Sequence, residues 1–158
     1  MKNFVIGTAI AALAMLATPA LAEDFSGPRL EATVGANDVT RGVDPNDVSY
    51  GVGVGYDFQF GKVVAGLEAG VDNVFDRRDI GVGARLGYVL NENVLVFTKV
   101  GYSNWKPTDR LTLEGVRVGG GVEVNVAGPV YAKVEYRYTD FDGPTGRHEA
   151  LVGVGYRF

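Results

Sequence analysis

Eight times between residues 28 and 158 the sequence falls into a two-residue alternation. The stretch GVGVGYDF at 51–58 shows it, and LVGVGYRF at 151–158 repeats it with six of eight letters unchanged. Successive side chains of a β-strand point to opposite faces, so this pattern writes a strand with two different surfaces. The segments are roughly 28–36, 48–60, 62–72, 79–90, 93–104, 112–126, 129–140 and 148–158. They are longer than the usual strand of about five or six residues. A tilted strand needs about 9–11 residues to cross a bilayer.

The two faces differ sharply. One carries apolar and aromatic residues with no charge, for example Leu30, Ala32, Val34, then Val52, Val54, Tyr56, Phe58, then Leu67, Val82, Leu86, Val100, Val118, Val134 and Val154. The other holds charges: Glu31, Asp57, Glu68, Arg85, Lys99, Arg117, Glu123, Lys133, Glu135, Arg137, Glu149 and Arg157. Glycines stand between those charges, among them Gly51, Gly53, Gly55, Gly66, Gly70, Gly83, Gly101, Gly119, Gly121, Gly153 and Gly155.

A soluble barrel would bury the apolar face and wet the charged one; a membrane barrel turns the apolar face to lipid and the polar face to its lumen. Three features favour the second. Glycine weakens a solvent-facing strand and packs nothing there, whereas an eight-stranded lumen has room only for side chains, so glycine on one strand leaves space for Arg or Glu on another. Aromatics gather at segment ends, Tyr56, Phe58, Phe60, Tyr88, Tyr156 and Phe158 on one rim and Tyr50, Tyr102, Tyr136 and Tyr138 on the other, as interfacial girdles do. Connections alternate between tight turns (59–62, 91–93, 127–128) and longer polar loops (37–47, 72–79, 103–110, 139–147). The expected fold is all-β: a closed antiparallel eight-stranded transmembrane up-and-down barrel. Its short turns and both termini are expected on the periplasmic side.

The first 22 residues read as a secretory leader to be set aside: Lys2, an apolar run over 4–17, and Ala20-Leu21-Ala22 as the cleavage site. The barrel domain is then 23–158, with net charge −5 in place of −4 once Lys2 is gone, which speaks against a nucleic-acid partner. There is no cysteine, so disulfides, thiolate metal sites and cysteine nucleophiles are excluded.

At this point the chain resembles the small eight-stranded outer-membrane barrels of Gram-negative bacteria, the opacity and porin group related to OmpA- and OmpX-type barrels. The resemblance rests on the leader, on GVGVGYDF and on the terminal ALVGVGYRF. It implies that Ala150, Val152, Val154, Tyr156 and Phe158 form the signal read by the barrel assembly machinery. It also implies an envelope location with lipid and lipopolysaccharide as neighbours.

The glycines do not read as a nucleotide loop: Gly51-x-Gly53-x-Gly55 lacks both the dinucleotide spacing and a following Lys-Ser/Thr. No cofactor and no metal site is expected, and no calcium-loop spacing is present. The twelve inward charges, six of each sign, read as a salt-bridged plug; a gated ion path through a small porin is the alternative. Some barrels of this size modify lipid A with His, Ser and an acid. Here the sole histidine, His148, lies at an outer strand end, as do Ser49 and Ser103, and Glu149 follows it; but there is no His-x-Ser spacing, Glu149 points to the opposite face, and no catalytic residue is assigned. Among the loops, Asp72, Asp79 and Arg147 read as solvated turn residues. Phe75 and Trp105 read as exposed contacts for an unidentified surface ligand.

Overall fold

In the computed structural model, residues 25–39, 47–73, 78–108, 111–142 and 146–158 are described. They form eight antiparallel strands: β1 (Gly27–Val39), β2 (Asp47–Phe60), β3 (Val63–Asp72), β4 (Asp79–Asn91), β5 (Val94–Thr108), β6 (Leu111–Ala127), β7 (Val130–Phe141) and β8 (Gly146–Arg157). Each strand pairs with its neighbours in chain order, and β8 closes on β1, so the sheet has no free edge. Closure satisfies every strand's backbone groups internally, the condition for irregular-free passage through hydrocarbon.

The alternation places the apolar face outside. Leu67 and Val134 are more than three-fifths exposed, while Asp57 and Glu123 on the opposite face are wholly buried. The rim aromatics also point outward. The two copies of the repeated motif build the same ring pair, Tyr56 with Phe58 and Tyr156 with Phe158, each with centroids 4.8 Å apart.

Three two-residue turns, at 61–62, 92–93 and 128–129, lie at the end where β1 begins and β8 finishes; there the Phe158 N–H donates to the Pro28 carbonyl at 2.9 Å. Gly61 and Gly128 take positive φ (61° and 53°), which tight turns reserve for glycine. The long third loop expected at 103–110 is a correction. The wall continues as β5 to Thr108, which pairs with Leu111 at the start of β6. Pro107 is accommodated at the register irregularity between Trp105 and Thr108, where a missing ladder donor is tolerated.

The outward face predicts a depth-dependent penalty. Val134→Arg is expected to destabilise the refolded barrel by about 2–4 kcal/mol in lipid bilayers, measured by urea titration. No loss of stability would contradict lipid exposure at that position.

Candidate functional site

The candidate site is the lumen. Eight cations (Arg29, Arg85, Lys99, Arg117, Lys133, Arg137, Arg147, Arg157) face eight carboxylates (Glu31, Asp57, Glu68, Asp72, Asp79, Glu123, Glu135, Glu149) among the described residues. Lys99 and Glu68 keep slight exposure; the rest are buried. Isolated buried charges are prohibitive, so each must find partners.

They do so in three tiers. Near the termini, Arg85 grips Asp57 through two N–H groups at 2.5 and 2.9 Å and reaches Glu123 at 2.9 Å. Arg29 lies against Asp57 at 3.1 Å, and Arg157 bonds to Glu123. In the middle, Lys133 joins Glu31 (2.6 Å) to Glu135 (2.9 Å), and Lys99 joins Glu68 (2.7 Å) to Glu135 (2.6 Å). Toward the far mouth, Arg117 reaches Asp79 at 2.5 Å, and Arg137 reaches Asp72 at 3.0 Å. Arg147 bonds to Asp79, and the Ser49 hydroxyl donates to Glu149 at 3.1 Å.

Register explains how so many long side chains fit. Charges sit opposite glycines on a neighbouring strand: Arg29 opposite Gly55, Glu31 opposite Gly53, Asp57 opposite Gly66, Asp72 opposite Gly51, Arg117 opposite Gly101, Lys133 opposite Gly153, and Arg137 opposite Gly119. A Cβ added at Gly66 would lie 2.0 Å from Asp57 Oδ1, and one at Gly51 would lie 2.0 Å from Asp72 Oδ1. At Gly55 it would meet the Arg29 guanidinium at 2.7 Å. These glycines therefore hold the volume that a neighbour's charged group occupies.

All twelve in-strand charges expected on the inner face lie there. Four more belong with them: Arg29, at the start of the first alternating segment, and Asp72, Asp79 and Arg147, which read as loop residues. The last three are corrections, since strand ends carry them into the lumen and bury them. The sequence signal was available, because each has the parity of its strand's inward positions. Asp57 and Arg157 hold the same place in the two copies of the repeated motif, yet they come no closer than 3.7 Å. The two motif copies are staggered by two residues across β1, where Pro28 faces Tyr56 but Leu30 faces Tyr156. Arg29 fills the resulting gap.

Trp105 is a further correction. It is 4% exposed, not a free loop anchor: β5 carries it inside the mouth, where its ring packs on Phe141 with centroids 5.2 Å apart. Phe75 lies outside the described residues. Sequence reasoning also missed the inward apolar side chains Phe25, Val64, Leu95, Phe97 and Leu151, which pack toward the lumen. Broken alternation marks some of them, as in VLVF at 94–97.

His148 faces outward, with Nδ1 2.6 Å from the Tyr136 hydroxyl and its ring against Tyr138. Ser49, Ser103 and Glu149 are buried on the opposite side of the wall. These residues do not assemble a Ser–His–acid arrangement.

Comparison with known proteins agrees with this architecture. A solved structure of Ail, the attachment invasion locus protein of Yersinia pestis, superposes with a TM-score of 0.58 at 16% identity, covering 85% of this chain and all of that one. The outer-membrane enzyme PagL gives a TM-score of 0.59 at 14% identity over 82% of this chain and 99% of its own, a likeness of fold alone. A "25 kDa outer-membrane immunogenic protein" of Brucella ovis is 24% identical over 133 residues, 73% of this chain and 66% of that protein's length.

The glycine reading makes a contrast testable. Gly66→Ala must displace the Asp57 carboxylate and is expected to destabilise by about 1–3 kcal/mol. Gly70→Ala, whose Cβ would meet only backbone atoms at 3.2 Å or more, is expected to cost under about 1 kcal/mol. Equal urea midpoints for the two variants would count against the interlock.

A model of the family described as "Outer membrane protein beta-barrel domain" matches residues 8–158, and the chain belongs to that family of outer-membrane β-barrels.

Proposed function

We propose that this barrel is a non-catalytic envelope component with a structural and surface-interaction role, and that its salt-bridged lumen is closed to solutes. The observation that carries the reading is the charge inventory: equal numbers of buried cations and carboxylates, cross-linked from strand to strand. Residues 1–22 act as a cleaved leader, and the termini and short turns face the periplasm. Ala150, Val152, Val154, Tyr156 and Phe158 address the chain to the barrel assembly machinery. The outward aromatics Tyr50, Tyr56, Phe58, Phe60, Tyr88, Tyr102, Tyr136, Tyr138, Tyr156 and Phe158 settle it between lipid and lipopolysaccharide. That aromatic residues occupy the outer surface near both strand ends supports this setting.

A small porin is the second reading. One observation favours it: a cavity of about 50 Å³ beside Glu68 and Lys99, lined by Gly53, Gly70, Gly83 and Gly101. Planar-bilayer recording of the refolded protein separates the two. The closed barrel is expected to show no large, stable open steps, and such steps in the native protein would overturn it. Arg117→Ala strands Asp79 with one fewer partner and is expected to lower stability by about 3–5 kcal/mol while adding brief openings.

A further inference from the structure

The lumen is not filled uniformly. Two arginines on one strand, Arg147 and Arg157, stand ten residues apart on β8, which at about 3.3 Å per residue sets them toward opposite mouths. Each guanidinium lies over two aromatic rings. Arg157 sits 5.2 Å from the Phe25 centroid and 4.8 Å from that of Tyr131. Arg147 sits 5.1 Å from Trp105 and 5.3 Å from Phe141. All six side chains are buried. At each mouth the rings and the guanidinium pack together as one cation–π group.

Phe25 is unlike the other three rings, because it belongs to no strand. It enters the mouth from just ahead of β1 and packs with Val64 of β3, Leu95 of β5 and Val89 of β4. Its N–H donates to Gln59 Oε1 at 2.6 Å, and Gln59 Nε2 donates to the Gly61 carbonyl at 2.8 Å. The residue is thus tied to the first tight turn while its ring reaches Arg157 on β8.

Between the two layers lies the cavity. Gly70, Gly83 and Gly101 line it, and the nearest atoms that a Cβ at each would meet are backbone. On the opposite side stands Arg137, 6% exposed, whose Nη2 has no hydrogen-bond partner. A buried donor beside polar space of this size suits a few water molecules.

We propose that the lumen is a hydrated chamber closed in series by two aromatic–guanidinium seals, and that Phe25 is the stopper at the end that carries the termini. This rests on the closed-lumen reading above and assigns the closure to particular residues. Ion pairs around a hydrated chamber exchange partners readily, whereas a packed ring must leave its site before anything passes.

The chain has no cysteine, so Thr33→Cys, whose side chain lines the chamber, is a unique probe. The measurement is its rate of modification by a small cationic methanethiosulfonate in refolded, heat-modifiable protein. The single-cysteine barrel is expected to react far more slowly than a Lys62→Cys control on the exposed turn. Phe25→Ala and Trp105→Ala, separately, are each expected to accelerate modification by at least ~10-fold through local opening. Gln59→Ala, which unties Phe25 without cutting into the packing, is expected to act in the same direction and serves if Phe25→Ala fails to fold. Stable conductance is expected only when Phe25→Ala and Trp105→Ala are combined. A native Thr33→Cys barrel that labels as fast as the control would overturn the proposal, as would seal variants that leave the rate unchanged or a double variant that stays closed. Large steps in the native protein would instead overturn the closed lumen itself.

Discussion

A ring of eight strands fixes the width of its own interior, and everything inside this barrel follows from that limit. The wall cannot spread to admit a larger side chain, so each inward residue is matched to its neighbours for volume and for charge. The match is made pair by pair across the sheet. Arg29 faces Gly55, Asp57 faces Gly66, Asp72 faces Gly51, and Lys133 faces Gly153. The repeated glycine motif is therefore the complement of charges on other strands. A one-residue slip would turn those charges toward lipid and the valines into the lumen, so the interlock also specifies register.

Charge is matched as strictly as volume. Some directly opposed pairs have the same sign, including Arg29 with Arg157 and Asp72 with Asp79. Shared counter-ions offset them. Asp57 is approached by Arg29, Arg85 and Arg157, and Asp79 by Arg117 and Arg147. Such buried pairs contribute little over an apolar filling of the same shape, but removing one partner leaves a stranded charge that costs several kcal/mol. The network is thus better understood as a device that makes one arrangement acceptable than as a source of net stability.

Much of this was legible in the sequence, because a period of two is the direct projection of a strand's two faces. Strand number, order and the inward charges follow from it. What escaped lies at the strand ends. Asp72, Asp79, Arg147 and Trp105 sit beside polar turn residues, and local composition there says "loop" while the wall continues as strand. Their parity matches the inward positions of their strands, but only the pairing of the strand ends across the sheet shows that the alternation extends so far. The stagger between the two motif copies is likewise a property of barrel closure. The two copies share letters but not depth: the register displaces Arg157 from Asp57 by two residues and lets Arg29 come between. Phe25 escaped for a different reason: outside any alternation, it shows its role only through the mouth it fills.

The most direct test of the interlock is a double-mutant cycle on Gly51 and Asp72, read by urea unfolding in lipid. Gly51→Ala alone forces the Asp72 carboxylate aside. Asp72→Ser shortens that side chain, and the added methyl should then fit. The Gly51→Ala penalty is expected largely to disappear in the Asp72→Ser background, a coupling of about 1–3 kcal/mol. Additive penalties, agreeing within about 0.5 kcal/mol, would contradict it.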